Sequence, residues 1–113
     1  MLLFKRCFIE DILTGRKTQT RRMHKKNIRK AGSIQACKSD MLGEPFCKVL
    51  ITRVFSQMLC DISEADARKE GFVDKEEFLK FVNMDFKRLG SGVVTVYEFR
   101  VIPETEGLTV DTC

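Results

Sequence analysis

The residues best suited to chemistry sit in one octet, Gly15-Arg16-Lys17-Thr18-Gln19-Thr20-Arg21-Arg22. It lies within an interval, from Asp11 to Asp40, that contains no acid but holds Arg16, Lys17, Arg21, Arg22, Lys25, Lys26, Arg29, Lys30 and Lys38. Nine cations without a local counter-charge form an electrostatic footprint for phosphates, with an affinity that falls as salt rises. The plainer alternative is a solvated loop whose charges only aid solubility. Arg22 suits bidentate contact with a phosphate, or it pairs with a surface acid such as Asp40. Lys17 either serves a ligand or complements the dipole of a preceding helix. Gly15 fits a helix C-cap, a role compatible with close approach of a ligand to the backbone.

Metal chemistry has little to work with. The cysteines, Cys7, Cys37, Cys47, Cys60 and Cys113, are scattered without a Cys-x-x-Cys pair, and His24 is the only histidine, so no metal and no cofactor is expected. An odd number of separated thiols fits reduced cysteines in a cytoplasmic protein. No apolar run approaches the roughly 20 residues of a membrane span. Met1-Leu2-Leu3-Phe4 is broken at once by Lys5 and Arg6, so neither a membrane nor export is expected.

The elements that must position the octet follow from local pattern. Residues 6–14 carry Phe8, Ile9, Ile12 and Leu13 at helical spacing, and Gly15 stands where a left-handed cap belongs. Glu10 and Asp11 precede Arg16 and Lys17, which complements the dipole. Thr18 to Met23 reads as a strand of which little is buried, followed by a basic loop ending at Gly32. Strands are predicted at Ser33–Lys38 and Phe46–Gln57, parted by a Gly43/Pro45 turn. In the second, Cys47, Val49, Ile51 and Phe55 share an inward face that Arg53 interrupts. Ser63 caps a short helix closed by Gly71. Asp74 opens another with Phe78, Phe81, Val82 and Phe86 on one stripe, ending near Gly90. Val93–Ile102, stopped by Pro103, is a strand.

A chain of 113 residues with 20 basic and 16 acidic side chains, 43% hydrophobic and 32% charged, makes one domain with enough core to fold unaided. Long strands around short helices point to an α+β fold in which a strongly curved sheet packs against helices. Residues 1–102 form the domain, and 103–113 form an acidic, mobile tail.

The octet also carries Gly15, Lys17 and Arg22 in the pattern Gly-x-Lys-x-x-x-x-Arg, by which the chain resembles the ASCH domain family. Further likeness lies in the helix directly before the motif, in Ala31-Gly32-Ser33-Ile34, in Val49-Leu50-Ile51-Thr52-Arg53-Val54, in Ile62 through Phe72 and in Val96-Tyr97-Glu98-Phe99. The resemblance spans residues 2 to about 102. It implies a PUA-like small β-barrel of mixed or antiparallel strands with flanking short helices, a cleft lined by the motif, and RNA or a modified nucleoside as ligand. On that basis Arg16, Lys17, Arg21, Arg22, Lys25, Lys26, Arg29 and Lys30 are expected to face RNA.

Some family members are amidohydrolases that deacetylate N4-acetylcytidine with a lysine, a threonine three residues on and a glutamate on a later helix. Those positions fall on Lys17, Thr20 and Glu70. The chemistry is sound if Lys17, its pKa lowered by Arg16, Arg21 and Arg22, takes the proton of Thr20. Glu70 then orients the amide or passes a proton to the leaving amine. Lys17 and Thr20 would point to opposite faces of a regular strand, so Lys17 must lie in the loop before it. Thr20 as an ordinary strand residue and Glu70 as a helix-surface acid are the alternatives. The cations after the motif suit a polymer better than a nucleoside, so RNA binding ranks first and hydrolysis second. A ribonuclease and an adaptor for an acidic protein partner stand behind them. Tyr97, Phe46, Phe55 and Phe72 serve either as stacking rings or as core.

Overall fold

The computed structural model of the chain describes residues 1–23, 28–85 and 92–103. Lys25, Lys26, Phe86, Gly90 and the tail from residue 104 lie outside them.

Five strands make one curled half-barrel sheet in the order β1-β3-β4-β5-β2: β1 (Leu2–Leu3), β2 (Gln19–Arg22), β3 (Ile34–Lys38), β4 (Cys47–Met58) and β5 (Val93–Ile102). Among the described residues only β1 and β3 pair in parallel; the other ladders are antiparallel. A single 3-10 turn, Arg6–Phe8, leads into α1 (Ile9–Leu13). After β4 come α2 (Glu64–Lys69) and α3 (Lys75–Asp85). None of the helices described is long and apolar enough to cross a membrane.

Both faces of the sheet are covered. One carries Leu2, Phe4, Ile12, Cys37, Val49, Ile51, Tyr97 and Phe99; the other packs Val94 and Val96 against Leu59, Ile62, Ala67 and Phe78 from α2, α3 and the turn before them. A bulge between Ile51 and Arg53 corrects the face expected for β4. One extra residue reverses the alternation. Val54 therefore follows Ile51 into the first core, opposite Tyr97, while Arg53 and Phe55 turn to the other face opposite Glu98 and Val96. The expectation that little of β2 is buried is likewise overturned, because Gln19 and Thr20 are both buried.

Two glycines set the path of the chain around β2. Gly15, at φ 81°, ends α1 and lets the amide of Lys17 turn back to the Asp11 carbonyl at 2.9 Å. Gly71, at φ 100°, ends α2 in a Schellman motif, with Phe72 N bonded to Ala67 O at 3.1 Å and Gly71 N to Arg68 O at 2.9 Å. Glu70 is thereby the C-cap of α2. A Cβ added at Gly71 would meet that of Lys17 at 3.5 Å, so the two turns leave room for little more than a glycine between them. The other end of α2 is capped by Ser63, whose Oγ accepts from Asp66 N at 3.1 Å.

A Gly71→Ala substitution places an L side chain in the left-handed region and is expected to cost about 1–2 kcal/mol. Urea denaturation reads it directly; an unchanged midpoint would show that the turn tolerates a Cβ.

Candidate active site

A cavity of about 240 Å³ opens beside β2, an outer strand, so the successive residues Thr20, Arg21 and Arg22 all reach its wall. Lys5, Lys17 and Glu70 complete the polar part. The rest is largely aromatic. Phe8, Phe72, Phe78 and Phe81 form a cluster with neighbouring centroids 5.3–5.9 Å apart, and Phe4 closes another side.

Lys17 lies in the loop between α1 and β2, where the hydrolase expectation needed it, and its residue exposure is only 2%. Its Nζ donates to Glu70 Oε1 at 2.7 Å and to the Glu70 carbonyl at 2.8 Å, and stands 4.7 Å from the centre of the Phe8 ring. Burial lowers its pKa below the ordinary 10.5; the Glu70 carboxylate pulls upward, while Arg22 and Arg21 push further down.

Glu70, equally buried, has its second oxygen occupied as well, since Arg21 Nη1 donates to Oε2 at 2.9 Å. Arg21 is held on every side. Its Nε and Nη2 donate to Gln57 Oε1 at 3.1 and 2.9 Å, Nη1 also donates to Gln19 Oε1 at 3.0 Å, and Nη2 lies 3.5 Å from Asp66 Oδ2. Gln19 in turn donates to Glu98 at 3.0 Å. The backbone joins in: Thr18 N bonds to Lys69 O at 2.6 Å, tying the start of β2 to the end of α2.

Arg22 points to the opposite face of β2 from Arg21, with its guanidinium carbon 4.7 Å above the Phe4 ring. Its Nε is buried and has no hydrogen-bond partner among the described residues. Burial chiefly lowers its pKa, with Glu70 opposing and Arg29 adding to the effect.

Lys17, Thr20 and Glu70 are thus walls of one cavity, and Arg22 joins them. Arg21, expected to face RNA, turns inward instead, because acids remote in sequence but adjacent in space take up its donors. The block without local acids is therefore partly neutralised by α2. Arg16 stays at the surface, 3.2 Å from Asp11. Arg29 is half-buried; its amide donates to Tyr97 Oη at 3.1 Å and its Nη2 to the Met1 carbonyl at 2.7 Å. Lys30 is exposed. Of the four candidate rings only Phe72 lines the cavity: Tyr97 is fully buried core, Phe46 packs on Phe4, and Phe55 lies under Arg53.

Phe4, Phe8, Phe78 and Phe81 were not legible as cavity residues, since helical spacing marks a buried stripe but not a hollow behind it. Gln19 and Gln57 carried no signal of their own.

A small curled half-barrel sheet with a few short helices matches the PUA-like small-barrel fold. A profile of the ASCH domain matches residues 3–102, and the chain belongs to that family. The fold is shared with an ASCH domain from Lactobacillus crispatus, at 18% identity and a TM-score of 0.67, covering 88% of this chain and 78% of that one. A protein from Enterococcus faecalis aligns at 21% identity and a TM-score of 0.64, covering 85% and 70% of the two chains. A variant of an ASCH protein from Zymomonas mobilis aligns at 10% identity and a TM-score of 0.63, covering 98% and 79%. No curated protein matches the sequence.

Removing one member of a buried charged network leaves its partners desolvated and unpaired, at about 3–5 kcal/mol. Arg21→Met is expected to destabilise the chain by about that amount, whereas the surface pair broken by Arg16→Ala is worth about 1 kcal/mol or less. Equal effects in thermal denaturation would contradict the inward placement of Arg21.

Proposed function

We propose that this chain is an amidohydrolase that accepts an N4-acylated cytidine, with N4-acetylcytidine as its simplest substrate. One observation carries the reading: a buried lysine amine 2.7 Å from a carboxylate shares a cavity wall with a threonine. The flat aromatic lining suits a pyrimidine, and the volume suits a group of nucleobase size.

In this scheme Thr20 Oγ attacks the acyl carbonyl while neutral Lys17 takes the hydroxyl proton. The Arg22 Nε, buried and without a partner among the described residues, supplies a donor to the oxyanion. Collapse breaks the bond from the acyl carbon to N4, and the Lys17 ammonium returns the proton to the leaving amine. Water then hydrolyses the acyl-threonine. Because both carboxylate oxygens of Glu70 already accept hydrogen bonds, from Lys17 and Arg21, its part is to orient Lys17 rather than to carry a proton.

A second reading, binding of RNA without turnover, draws on the same unpartnered Arg22 Nε, which a phosphate would satisfy, and on the exposed Arg16 and Lys30. Salt-sensitive binding of single-stranded RNA that is lost in Arg22→Ala, without any release of cytidine, would favour it over hydrolysis.

Incubation of the purified chain with N4-acetylcytidine is expected to yield cytidine and acetate on chromatography. Thr20→Ala and Lys17→Ala are each expected to lose about 10³-fold or more. Full turnover by Thr20→Ala would remove it as nucleophile. Lysine is a base only once deprotonated, so kcat/KM should rise with pH and level off above a pKa lower than 10.5. Lys17→Arg, which cannot lose its proton, should show neither the rate nor this limb.

A further inference from the structure

Away from the cavity, β3 and β4 bring together two thiols ten positions apart in the chain, on either side of a turn. Cys37 and Cys47 stand directly opposite each other in the antiparallel register, and both side chains belong to the first core. Directly opposed residues hold their Cβ atoms about 4.5–5.5 Å apart, close to the reach of a disulfide. Cys37 is fully buried, whereas Cys47 is half-buried and reachable from solvent. Both are free thiols.

The two differ in character. Interaction with the opposed Cys37 thiol lowers the pKa of Cys47 against the opposing effect of burial. The same interaction, together with burial, raises that of Cys37. The more accessible sulfur is thus the one that gives up its proton more readily, and the buried one holds its own more firmly. A nucleophilic thiol beside a protonated resolving thiol is the arrangement that peroxide chemistry requires.

We propose that Cys37 and Cys47 are an oxidation site for a hydroperoxide, which closes to a disulfide linking β3 to β4. The Cys47 thiolate attacks the outer oxygen of the peroxide; the O–O bond breaks, and the departing alkoxide or hydroxide takes a proton and leaves as an alcohol or water. Cys47 is now a sulfenic acid. Cys37 Sγ attacks Cys47 Sγ, the S–O bond breaks, and the hydroxide leaves as water with the Cys37 proton. Two thiols are oxidised by two electrons, and one peroxide is reduced. Neither step uses the cavity, so the site is independent of the hydrolase reading.

The position matters for the fold as well as for reactivity. Cys37 pairs with Leu2 across the β1–β3 ladder and shares a core cluster with Phe4, the ring beneath Arg22. A bond at this point closes the sheet next to one wall of the cavity.

Hydrogen peroxide is the probe, applied to the full chain, followed by alkylation and trypsin. Cleavage after Lys30, Lys38 and Lys48 leaves residues 31–38 and 39–48 as separate peptides when both thiols are free. The expected product is these two peptides joined, two hydrogen masses below their sum and separated again by dithiothreitol. Cys47 should be consumed about tenfold faster than the exposed Cys7 and Cys60. In Cys37→Ser, Cys47 should stop at a sulfenic acid captured by dimedone. Oxidation of Cys7 or Cys60 with 31–38 and 39–48 still separate and alkylated would overturn the proposal. So would linkage of Cys47 to any other cysteine. The mapping of the unsubstituted chain stands even if Cys37→Ser does not fold.

Discussion

The structure turns on a carboxylate shared by two buried basic side chains. Glu70 accepts from Lys17 on one oxygen and from Arg21 on the other, with all three side chains removed from water. Such an arrangement is costly, since well-packed apolar residues of similar volume usually serve stability as well or better. It persists here because each partner is over-determined. Gly15 turns the chain so that Lys17 points inward, Gly71 ends α2 with Glu70 at its tip, and two glutamines hold the Arg21 guanidinium. Perturbed ionisable groups beside a hollow are where catalytic function concentrates.

That constraint also explains the division of labour along β2. Residues on one face, Gln19 and Arg21, are absorbed by the network with α2. Those on the other, Thr20 and Arg22, are opposite Tyr97 and Thr95 and are left for the cavity. An outer strand allows this because one of its edges has no ladder. The aromatic wall completes the environment: it excludes water around Lys17, which is what lowers its pKa.

Much of this was legible in the sequence. The capping of α2 by Ser63, the glycines that end α1 and α2, and the β-branched run of β5 are local signals, and each appears where local chemistry demands it. The resemblance to amidohydrolase members of the family pointed to Lys17, Thr20 and Glu70, although only three-dimensional packing could bring a residue fifty-three positions away onto Lys17 Nζ. What was hidden is non-local. The bulge at Thr52 changes the face of Phe55 with no mark in composition, and the inward turn of Arg21 depends on acids contributed by a later helix. A stripe of phenylalanines announces burial, but whether it meets another surface or borders a cavity depends on shapes that spacing does not encode. The opposition of Cys37 and Cys47 is of the same kind, set by the β3–β4 register rather than by separation along the chain.

The central claim is that burial wins over the Glu70 carboxylate in setting the charge of Lys17. Titration of the Lys17 side chain, followed by the NMR shift of its ε-carbon and assigned with Lys17→Arg, tests this most directly. The account predicts a midpoint below the ordinary 10.5. A midpoint at or above that value would mean that the ion pair dominates, leaving Lys17 a fixed cation that cannot serve as a base.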